Sequence, residues 1–255
     1  MIACCHPGKI GDALYSLPTI RALSKKHNCK VDFYTSAYCE PILKLFEDQT
    51  EINKAQVLES YTPVDFSCGG QPWEMKLPNE SEYDHVYQLG FRSVPDKPLP
   101  EFIAESAGLD RSVGHNLFYE TRNFLVEQDT KPYIVLAPRG ESPFADEFRR
   151  LLGMINIPVY ILGRQGEMLS GVVETDLIND YTGQPFFSMV RIIKNCKAFV
   201  GILSSPLCIA NGFNMKKVIA YNDSWDMRHS VYKPETTYIK NPTAEQIIES
   251  LGDLK

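Results

Sequence analysis

No stretch of the 255-residue chain approaches the roughly 18 to 20 consecutive apolar residues that a membrane-spanning helix needs. Before His6-Pro7 there is neither a basic leader nor a long apolar run, so no secretory signal is expected and a cytoplasmic location is. No C-x-x-C pair occurs among the seven cysteines, which disfavours zinc ribbons and redox motifs and points to reduced, mostly buried thiols. The five histidines show no H-E-x-x-H spacing, so no metal site is expected. A G-x-S-x-G nucleophile elbow is missing, as are the G-x-G-x-x-G fingerprint and the P-loop. The net charge of -6 removes a global basic footprint for nucleic acid. A local basic groove around Arg21, Lys25, Lys26 and Arg92 stays open, because fields depend on distribution as well as sum.

Hydrophobic residues make up 44% of the chain, enough for a sizeable core. Short β-like runs alternate with helix-like stretches, the pattern of an α/β fold with parallel sheets. Strands are expected at 2–5, 30–35, 55–58, 85–89, 133–137, 159–162, 176–179, 198–202 and 217–221. Helices are expected at 12–26, 40–46, 101–108, 144–154, 186–195, 204–213 and 243–251. Pro18 either kinks the first helix or lies in the first turn of its regular part. Thr243 and Gln246 form a capping box for the last helix. Residues 59–82, rich in proline and glycine, read as a surface excursion. A boundary near 122–131 separates two βα series, giving domains 1–125 and 126–255, and the last helix is free to pack back on the first. Both halves read as small Rossmann-type domains.

Glycine turns at strand ends are the candidate sites. Gly8, Lys9 and Gly11 precede Asp12 where a strand becomes a helix. Asp12 either caps that helix or serves as a carboxylate that takes a proton from a hydroxyl. Arg139, after the strand at 133–137, either holds a phosphate or pairs with Glu141 or Asp146. Gly163 ends another strand, and Thr182-Gly183 turns into a helix. Ser204 and Ser205, before Pro206, can cap a helix whose free N–H groups suit a diphosphate; a plain capped helix fits equally.

Together the stretches resemble one family. GKIGDALYSLPTIRALSKKH (8–27) resembles the amino-terminal signature of the ADP-heptose:lipopolysaccharide heptosyltransferases and their relatives, glycosyltransferase family 9. The order of turns in the second half, with Thr182-Gly183 and S-x-P-x-x-x-A at 204–210, is similar too. The resemblance implies a GT-B fold, two facing Rossmann-like domains with a cleft, and no metal or cofactor. It implies an inverting transfer from a nucleotide-sugar, as co-substrate, to a saccharide hydroxyl. Asp12 matches the family's general base; Gly8, Lys9 and Gly11 fall in the acceptor-side loop; Arg139, Gly163, Thr182, Gly183, Ser204, Ser205 and Pro206 fall on the donor side. Where the family motif carries an acid, a glycine and a histidine, this chain has Leu203, Ser205 and Cys208. Two alternatives follow: a transferase acting on a hydroxylated DNA base, and a nucleotide-sugar binder without turnover.

Overall fold

The computed structural model describes residues 1–58, 74–91, 95–121, 131–223 and 233–254. The chain divides into two compact units, Met1–Phe124 with Arg228–Val231, and Leu125–Met227 with Tyr232–Lys255.

In the first unit, β1 (Ile2–His6), β2 (Val31–Ser36), β3 (Ile52–Leu58) and β4 (His85–Gln88) form a parallel sheet. Its order is β3-β2-β1-β4. Every residue of β1 and β2 is buried, as befits strands covered on both faces. The helices are α1 (Ile10–Tyr15), α2 (Leu17–His27), α3 (Leu43–Glu47) and α4 (Leu99–Ser106). The helix expected over 12–26 is in fact two. Ser16 ends α1, and its hydroxyl donates to Ala13 O at 2.6 Å. Pro18 then sits in the first turn of α2, where a missing N–H costs nothing. The helix expected over 40–46 opens instead as a 3-10 turn, Ala37–Ile42, around Pro41.

The surface excursion expected at 59–82 needs correction where it is described. Residues 59–73 lie outside the described residues, but Met75 and Leu77 are buried. With Tyr83 they cover one sheet face, against Ala3, Cys5 and Tyr34. Gln88 fastens this cover, its side-chain amide both accepting from Met75 N and donating to Met75 O, each at 2.9 Å.

The second unit holds β5 (Ile134–Ala137), β6 (Val159–Ile161), β7 (Ile178–Asp180), β8 (Ala198–Ile202), β9 (Lys216–Tyr221) and β10 (Thr236–Lys240). All pair in parallel, in the order β10-β9-β8-β5-β6-β7. Counted from the unit's own first strand this is 3-2-1-4-5-6, the doubly wound dinucleotide-binding order. The helices are α5 (Ala145–Leu152), α6 (Phe186–Asn195), α7 (Ser205–Ala210) and α8 (Ala244–Leu251). The capping box holds: Gln246 N donates to Thr243 Oγ1, and Thr243 N to Gln246 Oε1. The last helix, α8, packs within the second unit. Its apolar stripe, Ala244, Ile247 and Leu251, lies in the core of the second unit beside Phe148 and Val218.

Three tyrosines stack in this unit. Tyr133 and Tyr160 have ring centroids 4.2 Å apart and Tyr160 and Tyr181 4.7 Å, with planes tilted by 16° and 30°. The Tyr133 hydroxyl donates to Ile192 O at 2.7 Å.

Lys217, in an otherwise apolar run, is buried completely by β9. Its amine donates to Met215 O at 2.8 Å and to Phe213 O at 3.3 Å. Burial pushes its pKa down to about 8, against the opposing pull of Glu235. Between that value and the ordinary lysine range the unfolded chain binds more protons than the folded one, so this group adds stability as pH rises. That contribution is lost again as pH falls through about 8. Urea unfolding from about pH 7 to pH 10 is expected to show the rise, and Lys217→Met to flatten it. An identical slope in the variant would refute the assignment.

Candidate functional site

In a parallel sheet, ligands gather outside the carboxyl ends of the strands, where the strand order reverses. In the first unit that switch point lies between β1 and β4, where the His6–Gly8 turn leaves β1. His6 is fully buried, and its Nδ1 accepts from Gly8 N at 3.1 Å. Nδ1 is therefore unprotonated and the neutral ring carries its proton on Nε2, which has no hydrogen-bond partner. Burial pushes the His6 pKa down to about 4. Gly8 O accepts from Ser36 Oγ and Cys39 Sγ, both at 3.2 Å. Burial likewise pushes the Cys39 thiol up to about 11, so it stays protonated and can donate. The loop is thus clamped from both sides before α1 begins.

Asp12 lies in the first turn of α1 and is half-buried. Its carboxylate accepts from Lys9 N at 3.2 Å. Asp12 thus closes back on the amide of Lys9, the residue at the N-cap position of α1. Gly11 is buried within α1. A Cβ on Gly8 would stand 3.1 Å from the Asp12 Cβ and 2.6 Å from the His6 ring, so glycine there lets the turn close on both side chains.

In the second unit the switch point lies between β5 and β8. Three turns at this end are bonded together. Gly140 N donates to Glu167 O, and Gly183 N to Gly163 O, each at 3.0 Å. Gly163 has no room for a Cβ, which would meet Glu167 Oε2 at 2.8 Å. That carboxylate also accepts from Arg164 N, and Thr182 N donates to Asp180 Oδ1. So Gly163, Thr182, Gly183 and the 139–140 turn form one connected rim.

Arg139 and Gly140 both have φ of 59°. A non-glycine residue in the left-handed region is uncommon, and such strain clusters at functional sites. Arg139 is exposed. Glu141 and Asp146 both bind Arg149, at 2.5 and 2.6 Å. Arg149 and the Ser170 N–H hold the Glu141 pKa down at about 2.

Ser204 and Ser205 follow β8, next to β5, whose Ala137 pairs with Gly201. The expectation that Ser204 caps the helix fails. Ser204 stands at the N-cap position, but its hydroxyl donates to Ile202 O at 3.1 Å and accepts no hydrogen bond from the first turn of the helix. The helix N–H groups of Ser205 and Leu207 therefore receive no cap from it, and Pro206 has none to offer. Cys208 is buried, with its thiol donating to Ser204 O.

No family model matches the chain, and no curated protein matches its sequence. Solved structures do match. A family 9 glycosyltransferase from Veillonella parvula superposes with a TM-score of 0.72 at 13% identity, covering 99% of this chain and 96% of that one. The Escherichia coli ADP-heptose lps heptosyltransferase II gives 0.67 at 16% identity, covering 99% and 98%. The fold is a glycosyltransferase fold. A third neighbour, the dodecameric iron-containing heptosyltransferase TibC of enterotoxigenic E. coli, was solved with ADP-D-beta-D-heptose. It gives a TM-score of 0.64 at 15% identity, and the alignment covers 94% of this chain but 63% of TibC.

Two residues of the site escaped sequence reasoning. His6 carried one signal, its place two residues before Gly8 at the end of a buried run. Glu167 carried none, because its role depends on a turn closing back onto Gly163.

Proposed function

We propose that the chain is a metal-independent, inverting glycosyltransferase that moves a sugar from a nucleotide-activated donor to a hydroxyl of a saccharide acceptor. The observation that carries this is Asp12 in a clamped turn at one switch point, on a glycosyltransferase fold whose other unit presents the strained Arg139 turn at its own.

In this reading Asp12 removes the proton from the acceptor hydroxyl as its oxygen attacks the anomeric carbon. The bond from that carbon to the diphosphate oxygen breaks, and the nucleoside diphosphate leaves with the electron pair. Arg139 and the backbone N–H groups of Ser205 and Leu207 stabilise the charge that develops there. Gly163, Thr182 and Gly183 shape the rim against which the donor rests. Attack on the face opposite the leaving group inverts the centre. The donor assignment draws on TibC, solved with an ADP-heptose.

A second reading, a nucleotide-sugar binder without turnover, is favoured by one observation. Cys208 occupies the family's histidine position, and its thiol is buried and bonded to Ser204 O.

The test is thermal unfolding against a panel of ADP-, GDP- and UDP-sugars. At about 100-fold excess over Kd, a true donor adds about 2.7 kcal/mol and raises Tm measurably. No shift with any nucleotide or nucleotide-sugar would overturn both readings. A shift without transfer to any saccharide would leave the binder.

A further inference from the structure

Beside α2 a cavity of about 830 Å³ lies between that helix and the segment 113–118. Its volume falls in the range of small-molecule sites. Arg21, Lys25 and Lys30 line it, with Glu51 as the carboxylate and Val113 and Phe118 as part of its apolar wall. Lys30 immediately precedes β2, so this cavity reaches the amino-terminal end of the sheet, opposite the His6–Asp12 turn.

Arg21 is only 8% exposed. Its Nη2 donates to Gln49 Oε1, but Nε and Nη1 have no hydrogen-bond partner. Glu51 Oε2 stands 3.6 Å from Nε, close enough for attraction and too far for a hydrogen bond. The Phe118 ring roofs the guanidinium, its centroid 3.6 Å from Cζ, and is itself 38% exposed. A buried guanidinium with idle N–H groups costs stability unless something accepts from them. Its planar fork matches the oxygens of a phosphoryl group. Three cations against one carboxylate leave the lining positive, and the apolar wall gives room for a carbon skeleton.

We propose that this cavity binds the phosphoryl group of a small molecule, free phosphate or a phosphomonoester. Arg21 is the deep anchor, Lys25 and Lys30 are the rim, and Phe118 is a roof that swings aside. Glu51 holds the Arg21 charge while no anion is bound. The site is independent of the transfer reading and survives its failure.

The experiment is a titration of the ¹⁵N-labelled chain with inorganic phosphate and with glycerol 2-phosphate, at constant ionic strength set with chloride. Saturable amide shifts are expected at 18–30 and 113–118, with 8–12 and 139–140 spared. Tighter binding of glycerol 2-phosphate than of phosphate would identify the phosphomonoester as the better fit, and the reverse the free ion. Lys25→Glu is expected to weaken binding about tenfold, and Glu51→Gln to tighten it by a similar factor, as a competing carboxylate is lost. Arg21→Met is expected to abolish it; should that variant not fold, the other two decide. Lack of saturation, shifts confined to the carboxyl-end turns, or insensitivity to both Lys25→Glu and Glu51→Gln would overturn the proposal.

Discussion

Asp12→Asn is expected to lower the rate of sugar transfer by about 10²- to 10⁴-fold, the usual contribution of a positioned base. Donor affinity should be nearly unchanged. The substitution isolates proton transfer because an asparagine oxygen can still accept from Lys9 N, as the carboxylate does at 3.2 Å. The helix keeps its cap and loses only a charge near its amino terminus, worth about 0.3–1 kcal/mol. A transfer assay beside a donor titration separates the two quantities. If turnover survives and only stability drops, Asp12 is a capping residue and nothing more.

Gly8→Ala is expected to cost about 1–3 kcal/mol of stability and to depress transfer as well. The new Cβ would lie 2.6 Å from His6 Cε1, 2.9 Å from Nδ1 and 3.1 Å from the Asp12 Cβ. His6 is fully buried and cannot swing into solvent. Gly8 cannot retreat either, since Ser36 and Cys39 hold its carbonyl. The strain must therefore move the turn that carries Asp12. Gly166→Ala is the control: nothing stands within 4 Å of its Cβ, so only the conformational cost of its positive φ, on the order of 1 kcal/mol, applies. Urea unfolding of both variants reads the difference. Equal stability of Gly8→Ala and the parent chain would mean that the turn is not under compression.

Much of the fold was legible because its signals are local. Phe186–Asn195 and Ala198–Ile202 occur at the boundaries their periodicity predicts. The capping box at Thr243 marks the true start of α8. What escaped is what tertiary context decides. β10, with the sequence TTYIK, has no buried residue and, among the described residues, pairs only with β9, so no buried alternation announces it. The helix expected over 204–213 stops at Ala210, because the chain turns there to enter β9. Met75 and Leu77 lie in a proline- and glycine-rich stretch, and only their contact with β1 and β2 makes them core. For the site, the position of Asp12 was readable from its glycines. Its capping bond and the partners of Glu141 depend on atoms brought together by folding.

The tyrosine column carries a consequence of another kind. Tyr181 is the neighbour of Thr182, and through Tyr160 it is stacked with the buried Tyr133. Rings held this close and this nearly parallel share their electronic transitions. A ligand that settles on the Thr182–Gly183 turn and tilts Tyr181 would alter the circular dichroism of the chain in the near ultraviolet. Near-ultraviolet circular dichroism would then report such a ligand without any attached dye.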